Sequence, residues 1–137
     1  MAALQKFNLF ADALARKTLN LASDSLKVML TNTAPVATNS VYADLVDLAT
    51  AGGYTAGGAA TTPTLSNLAG VERLDCTDVV FTATTGFGPF RYAVLYDDTA
   101  TNKDLVGWCD FGSSITLGSL ETFTVDFNVS TGVLTIT

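Results

Sequence analysis

The side chains with the most chemistry to offer in this chain are carboxylates. Asp97, Asp98 and Asp104 bracket a loop that also holds Asn102, and Asp75 and Asp78 flank Cys76. Two acids at a suitable separation can hydrolyse a glycosidic bond. Asp97 or Asp104 would carry that reaction here. The same loop supplies oxygens of the kind calcium accepts. Its order, Asp97-Asp98-Thr99-Ala100-Thr101-Asn102-Lys103-Asp104, does not match the EF-hand loop, and Lys103 puts a cation inside it. The plainer reading is a solvated turn between strands, closed by an Asx-type hydrogen bond. A closed sandwich of this size rarely carves the cleft a sugar needs. No catalytic residue, metal or cofactor is therefore expected.

Histidine is absent, which removes the commonest general base, nucleophile partner and metal ligand together. Serine triads and His-paired cysteine nucleophiles are excluded. The two cysteines, Cys76 and Cys109, are too few for a four-thiolate zinc site and read as buried thiols. The glycine-rich run Gly52-Gly53-Tyr54-Thr55-Ala56-Gly57-Gly58 is followed by Ala59-Ala60-Thr61. A phosphate-cradling loop needs a Lys-Ser/Thr pair or a helix start there, so a nucleotide site is not expected. Tyr42, Tyr54, Tyr92, Tyr96 and Trp108 could stack on a sugar. Tyr92, Tyr96 and Trp108 fall on strand positions that read as core. Tyr54, flanked by glycines, reads as a candidate contact residue.

These side chains must be positioned by a β scaffold. In Phe90-Arg91-Tyr92-Ala93-Val94-Leu95-Tyr96 only Arg91 is strongly polar, and both alternating sets are apolar. A strand covered on both faces belongs in the middle of a sheet. Phe90, Tyr92, Val94 and Tyr96 are expected on one face, Ala93 and Leu95 on the other. Gly88-Pro89 precedes this strand, and Asp97-Asp98 opens the loop after it. Further strands are read at Leu26–Thr31, at 78–84, at 105–111 with Val106 and Trp108 on one face, at Ser114–Leu117, and at 122–127 with Phe123, Val125 and Phe127 inward. Ser130-Thr131-Gly132 is expected to turn the last strand back as a hairpin. Residues 61–75 read as polar and turn-rich, with room for a short edge strand. Helical spacing appears at Phe7, Phe10, Ala11 and Leu14, and again at Val41, Leu45 and Leu48, with Asn39 or Ser40 as a cap.

The fold expected is all-β and mainly antiparallel: a β-sandwich, a jelly roll among its arrangements, with one or two short N-terminal helices. Residues 1–17 form an arm or helix and 18–137 the sandwich. At 137 residues the chain has the size of one domain. Charged residues make up only 15%, where about a quarter is usual for a free monomer. Contact with other chains is one account of that low charge; a Thr-rich exterior is the other. The net charge of −6 and the scattered Lys and Arg disfavour a nucleic-acid or anionic-membrane partner. No bilayer-length apolar run and no secretory signal are read.

Several long strings resemble one group of small virion proteins from tailed bacteriophages. They are Lys6-Phe7-Asn8-Leu9-Phe10, the run from Asn20 to Pro35, Gly53 to Gly58, Gly88 to Asp97, Gly112 to Leu117, and Glu121 to Phe127. They occur in the same order across nearly the whole chain. The chain departs after Thr18, where Leu19-Asn20 replaces the group's His-Asn pair, and residues 65–77 match poorly. The resemblance implies a head decoration, or cement, protein on the capsid exterior. Its partner would be the major capsid protein, its state a dimer or trimer, and its place of synthesis the host cytoplasm. A tail, neck or fibre component with host-glycan binding is the alternative. Phe7, Phe10 and Leu14 of the arm, with Tyr54, are the expected partner contacts, because they are apolar residues outside the expected strand core.

Overall fold

A computed structural model describes residues 4–127 and 132–136 of the chain. In chain order it contains β1 (Gln5–Lys6), α1 (Phe10–Ala15), β2 (Leu26–Thr31), β3 (Ala59–Thr61), β4 (Pro63–Leu68), β5 (Val71–Cys76), β6 (Val79–Thr82), β7 (Phe87–Asp97), β8 (Leu105–Leu117), β9 (Thr122–Val125) and β10 (Leu134–Ile136). The fold is all-β and antiparallel, as the periodicity predicts. A five-stranded sheet has the order β1-β8-β7-β2-β3, so the doubly apolar β7 is its central strand. A three-stranded sheet, β10-β5-β4, and a two-stranded one, β6-β9, complete the sandwich.

The two faces of β7 are covered by different things. On one side Ala93 and Leu95 join Val28, Leu30, Leu74, Cys76, Val79, Phe81 and Val125 in the core between the sheets. On the other, Phe7, Met29, Tyr92, Val94, Tyr96, Leu105 and Trp108 form a second cluster, capped by Ala37, Tyr42 and Leu45. That cap is the long excursion between β2 and β3. It is sewn down by backbone bonds from Asn8 N to Ala37 O (2.9 Å), Tyr42 N to Lys103 O (3.0 Å) and Leu105 N to Ser40 O (2.9 Å). Without it the outer face of the sheet would expose a large apolar patch.

Strict alternation fails at two irregular points of the β7–β8 ladder. Register shifts flank the Phe90/Ile115 pair, and Phe90 goes into the inter-sheet core while Tyr92 stays on the outer face. The expectation that Phe90 shares the face of Tyr92 is corrected accordingly. A third shift leaves Val106 as an extra residue between the Tyr96/Leu105 and Leu95/Gly107 pairs. It turns Val106 into the inter-sheet core, with Leu105 and Trp108 on the outer face. A one-residue bulge reverses the side-chain sense beyond it, which overturns the shared face read for Val106 and Trp108.

Other elements differ from the sequence reading. Residues 41–48 form only a 3-10 turn at Tyr42–Asp44, because Leu45 is already extended and Asp44 turns back to accept from Ser40 N and Val41 N at 2.9 and 3.2 Å. The polar stretch 61–75 holds the β4–β5 hairpin, closed by Ala69 and Gly70 at φ 52° and 84°. Both values suit a tight hairpin turn, but Ala is an uncommon residue there, so the signal was weak. β10 pairs with β5 and β9 with β6, so these last strands are not partners. The hairpin loop read at Ser130-Thr131 lies outside the described residues.

The N-terminal segment is part of the sandwich. β1 pairs with the edge of β8, and the short α1 buries Phe10 and Ala13. Phe7 and Phe10 are 0% and 2% exposed. Leu14 is half-buried and packs on the inter-sheet core. Burying a Phe side chain contributes about 1.5–3 kcal/mol, so these rings hold residues 4–15 against the sheet. The expectation that Phe7 and Phe10 project to a partner from an arm is corrected.

Candidate functional site

Two carboxylates are drawn into the body of the fold, and each organises a different set of neighbours. Asp47 sits in the excursion over the outer face. Its Oδ1 accepts from the Tyr54 hydroxyl at 2.5 Å and its Oδ2 from the Tyr42 hydroxyl at 2.5 Å. The Gly57 amide also donates to Oδ2. Tyr96 donates its hydroxyl to the Gly57 carbonyl at 2.5 Å, and the Tyr54 hydroxyl accepts from Leu30 N at 3.0 Å. Burial and then the Asp47 carboxylate push the Tyr42 and Tyr54 hydroxyls well above the usual phenol range. Burial likewise raises Tyr96. These phenols stay protonated and serve as donors; they offer no general base.

The network explains the glycine-rich run. Gly58 has φ +80°, and a Cβ there would meet the Val28 carbonyl oxygen at 1.8 Å. Gly52, at φ +62°, would put a Cβ 1.7 Å from the Gly86 carbonyl oxygen. Both positions require glycine for close backbone approach. The loop folds Tyr54 inward, where its ring lies 5.8 Å from Phe81 and 5.5 Å from Phe87. Tyr54 is 1% exposed, so the expectation that it is a contact residue is corrected. Glycine flanks signal backbone freedom, and here that freedom brings the ring into the core. Tyr92, Tyr96 and Trp108 are buried as the strand pattern predicts. None of these four rings is presented as a sugar-stacking platform.

Asp97, the last residue of β7, is the second centre. It is 0% exposed. Its Oδ1 accepts from Thr99 N at 2.9 Å and Ala100 N at 3.0 Å, which is the Asx-type turn read from the sequence. Its Oδ2 is buried and has no donor. The Asp24 carboxyl is a neighbour close enough to act on the Asp97 carboxyl. Burial, followed by the Asp24 carboxyl, pushes Asp97 up to about 7. Asp24 itself accepts from Asn20 N at 2.9 Å. The connection before β2 is stitched to the loop by Ser25 N to Thr99 Oγ1 at 2.8 Å and Asp98 N to Ser25 O at 2.8 Å.

Beside this pair opens a cavity of about 340 Å³, lined by Asn20, Asp24, Thr99, Asn102 and Asp104 among others. Lys103 turns away from it onto Asp98 at 2.5 Å, and Lys27 approaches the same carboxylate at 3.6 Å. Burial raises Asp104. No aromatic ring lines the cavity. Asp97 has no exposed surface to offer a substrate, so it cannot act with Asp104 as a glycosidase pair. Asp75 and Asp78 do not converge either: Asp75 pairs with Arg73 at 3.0 Å, and Asp78 accepts from Phe127 N at 2.8 Å. Among the described residues, no three His, Cys, Asp or Glu side chains gather into a metal-holding group.

The chain matches no known protein family, no characterised protein and no solved structure. Cys76 and Cys109 are free and buried, and burial pushes their thiols up to about 12 and about 11. They are packing groups at neutral pH. Among the described residues no helix is long and apolar enough to cross a membrane.

Asp24 is the residue that sequence reasoning missed. It lies in the connection between α1 and β2 with nothing local to set it apart. Only the pairing of β2 with β7, which puts Leu26 opposite Asp97, brings it to the loop.

Proposed function

We propose that this chain works by adhesion, as a structural protein of a tailed-phage particle and most specifically as a head decoration protein bound to the major capsid protein. The observation that carries the adhesive reading is the tip of the β4–β5 hairpin. Leu68 is 82% exposed and Val71 36%, at the end of a sheet in which β4 is an edge strand. An edge strand offers unpaired backbone groups, and natural proteins usually blunt such an edge with charge. β4 itself, Pro63-Thr64-Leu65-Ser66-Asn67-Leu68, has no charged residue. Leu120, 78% exposed, and Val80, 56%, add apolar surface at β6–β9. The sequence strings that resemble small phage virion proteins support reading a capsid as the partner of this adhesive surface. A weak contact repeated over a symmetric shell gains strongly through effective concentration.

The test is retention on purified particles. Wild-type chain is expected there in copies on the order of hundreds, matching shell symmetry. Leu68→Asp with Val71→Asp is expected to fold normally and to lose at least ten-fold in retention. Copies of about six or twelve place it at the tail or neck instead. Absence from particles, or full retention by the double variant, overturns the corresponding half of the proposal.

A further inference from the structure

We propose that the free edge of β4 takes β4 of a second copy of this chain, antiparallel about a two-fold axis at Ser66, so that two β10-β5-β4 sheets join into one. The inference rests on the adhesive reading of this hairpin and names what its edge binds; it needs no capsid.

The backbone selects the register. β4 and β5 are joined by the turn Ala69-Gly70, with Leu68 opposite Val71. The pair flanking a two-residue turn exchanges its hydrogen bonds, and every second pair after it does the same. Thr64, Ser66 and Leu68 therefore aim their N–H and C=O groups at β5. The Thr77 N to Thr62 O bond of 3.1 Å continues that series. Leu65 and Asn67 aim theirs outward, where among the described residues no strand meets them. Pro63 faces outward too, but has no N–H to give.

Two registers are centred on this strand. With Leu65 on the axis, the Asn67 carbonyl meets the partner's Pro63 and finds no donor. With Ser66 on the axis, Leu65 exchanges both its bonds with the partner's Asn67, and Asn67 with the partner's Leu65. None of these groups is then left over. The same register lays Leu68, 82% exposed, against the partner's Thr64. A second copy matches this edge by symmetry; a different chain would have to reproduce both its spacing and its gap at Pro63.

Charge permits the meeting. The chain carries −6 overall, yet β4 has no charged side chain, so the paired strands set no carboxylate against another. Two edges of this length bury less than a standard interface of about 1,600 Å², so the dimer is weak, half-formed at about 10–100 μM chain.

The test is sedimentation of the full chain, without capsid, from about 1 μM to about 1 mM. A monomer–dimer equilibrium is expected, with nothing larger, because a two-fold pairing closes on itself. Asn67→Pro removes an outward N–H that the hairpin does not use, and should weaken the dimer at least ten-fold in a folded chain. Ser66→Cys, oxidised with glutathione disulfide, should form a disulfide dimer, since facing residues of a non-hydrogen-bonded pair have Cα atoms about 4.5 Å apart. Thr64→Cys lies off the axis and should not. Cys76 and Cys109 are buried and do not compete. A wild-type chain that stays monomeric overturns the proposal. So does a dimer untouched by Asn67→Pro, or one that Thr64→Cys cross-links as well as Ser66→Cys. A dimer in solution with no chain on particles would keep this inference and sink the capsid reading; retention on particles by a monomer would do the reverse.

Discussion

Asp47 and Asp97 each fasten a connection of the same sheet, and their surroundings differ in sign. Asp47 is met by two hydroxyls and an amide, all donors. Asp97 has two amide donors on one oxygen, none on the other, and the Asp24 carboxyl as a neighbour. A half-buried carboxylate with a full complement of donors is a structural fastener, and it fixes the excursion that covers the outer face of β7. A fully buried carboxylate beside another acid is under-neutralised, and it holds its proton more tightly. The difference teaches which acid in a fold is worth probing by titration: the count of donors decides, not depth of burial.

The comparison breaks most visibly at Asp47. Asp47→Ala leaves the Tyr54 hydroxyl and the Gly57 amide without their acceptor, while Tyr42, only half-buried, can turn to water. The expected loss is about 2–4 kcal/mol by denaturant unfolding. For a chain of this length each kcal/mol corresponds to roughly 3–4 °C in Tm. A loss below about 1 kcal/mol would mean that the network is ornamental and that packing alone holds the excursion.

Tyr54→Phe sharpens the same point with a smaller change. The ring contacts with Phe81 and Phe87 remain, and only the hydroxyl bridging Asp47 and Leu30 N is removed. Leu30 is 0% exposed, so its amide would lose the partner that the hydroxyl provides. About 1–3 kcal/mol is expected, measured by the same unfolding titration. Because both variants remove one shared bond, their effects should sum to more than the double variant loses.

Some of this was legible in the sequence. β7 declared its central place because both of its alternating sets are apolar. The absence of an EF-hand pattern and the Asx turn at Asp97 were also readable locally. The fate of Phe90 and Val106 was not, since a register shift is a property of two strands and alternation describes one. Tyr54 and Phe7 were misread for a related reason: each is covered by residues far along the chain, and local spacing carries no record of its cover. Asp24 had no signal at all. Its partner is chosen by the β2–β7 register, which the connection between α1 and β2 does not announce.

The smallest expected effect bears on the Asp97 side. The folded protein holds Asp97 near pKa 7, above an unfolded value of about 3.9. A raised folded pKa means the native state binds the proton more tightly. Its stabilising contribution is complete below about pH 4 and is lost as pH rises through about 7. Asp24 is shifted down and acts in the opposite sense, but only below its ordinary range, outside this window. Wild-type stability should therefore decline from about pH 5 to about pH 8, no more steeply than about 1.4 kcal/mol per pH unit. Asp24→Asn replaces the neighbouring acid with an amide that can donate to the Asp97 carboxylate. The slope should flatten, and at about pH 8 the variant should exceed the wild type by about 1 kcal/mol. A variant that keeps the wild-type slope would show that burial alone sets the Asp97 proton, and the contrast with Asp47 would then rest on depth after all.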